Sequence, residues 1–215
     1  MPLHPEFPYP LYLVLSEKEC RYHHWLAVAE QAILGGVDII QLREKDLGEK
    51  ELLDKAAQLK ELTARYNKPL VINDFPNVAA EVNAWAVHVG RSDVAPREIY
   101  ARYKQSLKIG WSLEMAAQLN QEEMQWVHHL GVSPIHSTPT KTDTITTWGL
   151  AGLRRVRGMT SYPLIAIGGI NADNAKSIYQ AGAHSIAVVS SICASRDPEK
   201  AAADLKQQWR QTAGV

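Results

Sequence analysis

Five short stretches of the chain carry side chains whose types and spacing suit chemistry on anions. In Gln41-Leu42-Arg43-Glu44-Lys45, Gln41 and Arg43 stand two apart, so on an extended strand both point the same way. A planar guanidinium beside a compact ammonium, Lys45, makes a cationic clamp for an oxyanion. Asn73-Asp74 and, further on, Asp93 supply two carboxylates. On the ends of adjacent parallel strands, about 4.8 Å apart, they could share one hard cation, and Mg²⁺ is commonly held by one or two carboxylates plus substrate phosphates. Thr138-Pro139-Thr140-Lys141 offers two hydroxyls and an ammonium to wrap an anion. Gly168-Gly169, followed later by Val189-Ser190-Ser191, suits a phosphate cradled by backbone N–H groups at a helix start. Each has a bland counterpart: solvated charges at a strand end, a helix cap at Asp74, a turn at Asp93, a surface loop, a tight glycine turn. The convergence of all five on one surface decides between the two readings.

The elements that must position them are legible as short apolar runs between amphipathic segments. Leu11–Leu15, Val37–Leu42, Pro69–Asn73, Ala86–Val89, Leu107–Ser112, Trp126–Val132, Leu164–Ile167 and Ser185–Val189 read as strands. They are nearly continuous in hydrophobicity, as in parallel sheets covered by helices. Leu26, Ala29 and Ile33 share one helical face that Gly35-Gly36 terminates; Leu52, Ala56, Leu59 and Leu62 form a second stripe. Asp197-Pro198 opens a final helix that would bury Ala201, Leu205 and Trp209, whereas Ser133–Thr147 reads as a long loop. Eight β/α alternations without a composition break predict one (β/α)₈ TIM barrel over residues 1–215. A doubly wound open sheet is the runner-up, and no nucleotide-binding glycine fingerprint follows the first strand to support it. In a barrel the residues after each strand share one rim, which brings the five stretches together.

Composition narrows the partners. The 215 residues are 46% hydrophobic and 21% charged, with 23 Lys and Arg against 23 Asp and Glu. No basic excess points to nucleic acid. The longest apolar stretches fall short of the ~20 residues a bilayer needs, and the start lacks the pattern of a signal peptide. Cys20 and Cys193 form no C-x-x-C motif or disulfide framework. The expectation is a soluble, cytoplasmic protein acting on phosphorylated small molecules, with neither nucleic acid nor membrane as partner, and with homo-oligomerisation left open.

Taken in order, QLREK (Gln41–Lys45), IND (Ile72–Asp74), the Val87–Asp93 segment, TPTK (Thr138–Lys141), AIGGI (Ala166–Ile170) and AVVS (Ala187–Ser190) resemble the thiamine-phosphate synthase family from about Leu11 to Ile192. The resemblance implies a TIM barrel that joins 4-amino-2-methyl-5-(diphosphooxymethyl)pyrimidine to a thiazole phosphate. The products would be thiamine phosphate and pyrophosphate, with CO₂ lost when the thiazole carries a carboxylate. It also implies residue roles. Gln41, Arg43, Lys45 and Asn73 would contact the pyrimidine diphosphate, Asp74 and Asp93 would bind Mg²⁺, and Ser112 and Lys141 would reach the pyrimidine substrate. Thr138, Thr140, Gly169, Val189 and Ser190 would hold the thiazole phosphate, and Arg43, Lys45, Ser112 and Lys141 would form the catalytic set. No protein nucleophile is implied, in keeping with the absence of a Ser/His/Asp or Cys/His constellation.

Some positions depart from the family pattern. Ser133 stands for a small glycine, His136 for an aromatic, Ser137 for a proline, Glu114 for a common histidine and Arg91 for a frequent glutamine. His136 reads as a packing variant, and the adjacent pairs His23-His24 and His128-His129 read as structural. Two rivals remain: a thiazole tautomerase-like isomerase, which would use a histidine where Pro134 stands, and a non-catalytic binder of thiamine phosphate.

Overall fold

The computed structural model describes residues 3–137 and 147–214. Eight parallel strands close into a barrel in chain order: β1 (Leu11–Leu15), β2 (Ile39–Leu42), β3 (Leu70–Asn73), β4 (Ala86–Val89), β5 (Lys108–Leu113), β6 (His129–Val132), β7 (Leu164–Ile167) and β8 (Ser185–Val188). The helices are α1 (Trp25–Leu34), α2 (Glu49–Arg65), α3 (Pro76–Glu81), α4 (Pro96–Tyr103), α5 (Gly149–Met159), α6 (Ala172–Gln180), α7 (Ser190–Cys193) and α8 (Pro198–Ala213). Between β5 and β6 only 3₁₀ turns, Ala116–Asn120 and Glu122–Trp126, cover the sheet. The second turn explains why β6 starts at His129 and not at Trp126. Likewise β2 starts late because the Val37 N–H still donates to Ala32 O, 3.0 Å, at the end of α1.

Caps follow the sequence signals. Gly35 closes α1, and the Asp197 carboxylate accepts the Lys200 N–H at 2.9 Å to start α8. The buried faces are rotated slightly from the expected stripes. Trp25 and Val28 join Ala29 and Ile33 inside, and Ala202 is buried in place of Ala201.

Alternation along the strands divides the core in two. Outward residues such as Leu13, Ile40, Ile72, Val87, Ile109, Leu130 and Ile186 pack under the helices, while Tyr12, Val14, Ile39, Val71, Ala86, Ile165 and Ala187 fill the barrel. Continuing inward from Ile39, Val71 and Ala86 by twos gives Gln41, Asn73 and His88, so the fill turns from apolar to polar toward the C-terminal rim. The lower mouth is closed by Phe7, fully buried. Its ring lies 5.0 Å from His129, 5.7 Å from Trp85 and 6.3 Å from Tyr12.

Buried imidazoles make this fold acid-sensitive. Burial lowers both His128 and His184 to about 4, with Lys108 reinforcing the shift at His128 and Arg157 at His184. Unfolded, each titrates near 6.5, so the unfolded chain takes up protons first and stability falls as pH drops from 6.5 toward 4. Discounted for solvent screening, each histidine should cost roughly 1–2 kcal/mol by pH 4.5. In urea titrations at pH 7 and 4.5, His184→Gln should lose less stability on acidification than the parent. An equal loss in both would contradict the assignment.

Candidate active site

The C-terminal rim surrounds a cavity of about 300 Å³, at the lower end of the range for small-molecule pockets. Every expected site residue that is described lines it: Gln41, Arg43, Lys45, Asn73, Asp74, Asp93, Ser112, Gly169, Val189 and Ser190. Thr138, Thr140 and Lys141 lie outside the described residues.

The cationic side is built on β2. Gln41 is buried, and its side-chain amide donates to the Tyr12 hydroxyl at 2.8 Å. The Arg43 N–H donates to Leu15 O at 2.9 Å. Glu44, alternating away from the cavity, is the anchor of this segment. Its carboxylate accepts the Glu17 N–H at 2.8 Å, Lys55 Nζ at 3.1 Å and the Ser16 hydroxyl at 3.3 Å. These bonds tie the β1 and β2 loops together and leave Arg43 and Lys45 on the rim.

The carboxylates come from β3 and β4. Asp74 has a left-handed backbone, φ 65°, which aspartate tolerates better than most residues; its N–H donates to His88 O at 2.9 Å. It caps no helix, since α3 begins after Phe75 without a side-chain cap. Asp93 does make the turn that its bland reading suggested, accepting the Gly90 N–H at 2.6 Å, and that turn aims it at Asp74. The two carboxylates are close neighbours, and Asp74 is pushed up to about 6 by burial first and then by hydrogen bonding to Asp93 and its charge, against the pull of Lys45 and Arg43. Lys45 Nζ lies 3.7 Å from Asp74 Oδ2. Two carboxylates pressed together retain a proton unless a cation separates them, so this donor set fits a divalent ion. Among the described residues no group of three or more His, Cys, Asp or Glu could hold a metal. A Mg²⁺ ion held by one or two carboxylates commonly completes its shell with substrate phosphate and water.

Across the cavity, Gly168 and Gly169 have φ of 105° and 63°. A Cβ on Gly169 would sit 2.8 Å from His136 Cβ, and one on Gly168 would sit 2.7 Å from Pro134 Cβ. The loop after β6 rides on this turn, with the Ile135 and His136 N–H groups donating to Ile167 O at 2.9 Å and Gly168 O at 3.1 Å. His136 is half-buried beside this turn. Gly169→Ala should displace that loop and raise KM for a phosphorylated thiazole about 10-fold, leaving KM for the diphosphate substrate within twofold. Initial rates against each substrate check this.

Two departures explain each other: Arg91 Nε lies 3.5 Å from Glu114 Oε2, an ion pair between the loops after β4 and β5. Sequence reasoning assigned no role to His88, Tyr12 and Asn171 and read His129 as structural, yet all four line the cavity, as does Ser191 of the expected phosphate stretch. His88 Nε2 lies 3.1 Å from the Ser112 hydroxyl. Its signal was parity: it stands two residues beyond Ala86, on the inward side of β4.

Opposite charges meeting on one rim, above a barrel fill that turns polar toward it, suit a barrel enzyme acting on anionic substrates. Residues 11–192 match the family model described as thiamine monophosphate synthase. A thiamine-phosphate synthase of Albidiferax ferrireducens is 46% identical over 198 residues, covering 92% of this chain and 90% of that one. A second, from Leptospira biflexa, is 38% identical over 203 residues, covering 93% and 97%. The solved thiamine phosphate pyrophosphorylase of Pyrococcus furiosus superposes with a TM-score of 0.85 at 26% identity, over 95% of this chain and 96% of that one. A 3-hexulose-6-phosphate synthase, with a TM-score of 0.69 at 19% identity over 93% of this chain and 99% of that one, shares the fold alone. The chain belongs to the thiamine monophosphate synthase family, and it is a transferase of thiamine phosphate synthesis.

Proposed function

We propose that the chain condenses 4-amino-2-methyl-5-(diphosphooxymethyl)pyrimidine with a thiazole phosphate by a dissociative displacement. The observation that carries this reading is the contact between Asp74 and Asp93 with Lys45 alongside, a site whose charges suit a diphosphate–metal pair better than a lone phosphate. Arg43 and Lys45 hold the diphosphate oxygens and offset the negative charge that grows as the methylene C–O bond breaks. Gln41, Asn73, Ser112 and Lys141 orient the pyrimidine substrate, whose electron-rich ring stabilises the cationic methylene left behind. Thr138, Thr140, Gly169, Val189 and Ser190 hold the thiazole phosphate so that, once the C–O bond has broken and pyrophosphate has left, the ring nitrogen gives its lone pair to that carbon and forms the new C–N bond. Asp74 and Asp93 would hold Mg²⁺, which when bound neutralises the leaving group. Most of the rate then comes from positioning and electrostatics, with no covalent enzyme intermediate. The enzyme would act in the cytoplasm; among the described residues no helix is long and apolar enough to cross a membrane.

Product analysis tests the reading. Thiamine phosphate should form only when both substrates are mixed. Isomerisation of the thiazole without the pyrimidine would favour the tautomerase, and binding of thiamine phosphate without turnover would favour a carrier.

A further inference from the structure

A line of polar groups runs through the barrel beneath the site. Glu6, on the segment that closes the lower mouth, has Oε2 3.9 Å from His128 Nε2. His128 Nδ1 faces His129 Nδ1 at 3.3 Å. His129 is fully buried, yet it reaches the cavity from below, and its Nε2 has no hydrogen-bond partner among the described residues. The Cβ position of Gly110 falls 2.3 Å from that nitrogen and 2.5 Å from His88 Nδ1, so the glycine makes room for both rings inside the barrel.

We propose that Glu6 and His128 set the tautomer of His129, presenting its Nε2 as a hydrogen-bond acceptor in the cavity floor and making that floor a subsite for an N–H donor. Glu6 is beyond hydrogen-bond reach of His128 Nε2, which has no hydrogen-bond partner among the described residues, and its carboxylate favours a proton there through charge alone. A neutral His128 then has a lone pair at Nδ1, and the single proton between the two facing nitrogens belongs to His129 Nδ1. His129 Nε2 is left as an acceptor. Both rings stay neutral because they are buried among Phe7 and Trp85, with Lys108 and His4 facing His128 and with His88 and His128 facing His129. A buried acceptor without a partner is costly, and a ligand N–H relieves that cost. On the transferase reading, which this inference extends, the donor is the amino group of the pyrimidine substrate. A water molecule is the other source of the same chemistry.

Nitrogen NMR of the full-length protein labelled at histidine tests this. Without ligand, His129 should carry its proton on Nδ1, and Glu6→Gln should shift that population toward the other tautomer, an effect a merely structural carboxylate would not have. The aminopyrimidine diphosphate should move the His129 Nε2 resonance, and an analogue with hydrogen in place of the amino group should not. His129→Gln should raise KM for the pyrimidine substrate about 10-fold, with KM for the thiazole phosphate unchanged. A proton on His129 Nε2 in the free protein would overturn the inference. An equal shift with the des-amino analogue would overturn the amino assignment in favour of water. If thiamine phosphate never forms while the tautomer is as stated, the transferase reading fails and the relay stands.

Discussion

Asp93→Ala should lower pyrophosphate release by about 10³-fold or more, corresponding to about 4 kcal/mol of lost transition-state stabilisation. Its carboxylate serves twice, bonding the Gly90 N–H that shapes the rim and touching Asp74. On the proposed reading, alanine would remove half of the cation site and leave the departing diphosphate to Arg43 and Lys45. Asp93→Asn separates the two roles: the amide oxygen can keep the turn, so a loss of similar size there assigns the effect to charge. Circular dichroism should report an intact barrel in both variants, because Asp93 lies on a rim loop outside both hydrophobic clusters.

The second large effect has opposite signs for stability and activity. Asp74 is raised to about 6 in the fold and lies near 3.9 unfolded. The folded chain therefore holds a proton that the unfolded chain gives up, and stability is lost as pH rises through the unfolded value toward 6. At pH 7.5 without metal, the charged Asp74 beside Asp93 destabilises the protein by about 1–3 kcal/mol. Asp74→Asn should raise the metal-free melting temperature at pH 7.5, and the gain should vanish near pH 4. Its turnover should fall about 10²-fold or more for want of the second carboxylate. Paired thermal melts and initial rates check both halves. A variant that is both less stable and less active would mean that Asp74 serves chiefly to hold its left-handed turn.

The fold was legible because parallel barrel strands are short, apolar and evenly spaced, and the interval from Leu11 to Val188 contains eight of them. Errors fell at strand starts, where Val37 is held by the end of α1 and Trp126 by a 3₁₀ turn, both bonded to neighbours that hydrophobicity does not reveal. The rim was legible for the same reason: Arg43, Asp74, Gly169 and Ser190 each follow an apolar run. What lies inside the barrel was not. Whether His88 and His129 point inward depends on strand parity counted from a closure that the sequence does not display. The space for their rings comes from Gly110 and Gly131 on neighbouring strands. Nor could the adjacent histidines at 128 and 129 be separated into a bridge toward Glu6 and an inward ligand until the N-terminal segment was seen folded under the barrel. The pairing of Arg91 with Glu114 was hidden likewise, two departures that make sense only across adjacent loops.

The central claim is that Asp74 and Asp93 jointly present a divalent ion to a diphosphate. It is tested most directly by pyrophosphate release from both substrates at saturating concentration, with Mg²⁺ and then with excess chelator. The account predicts release that collapses in chelator and returns when Mg²⁺ is restored. Undiminished release in chelator would contradict it.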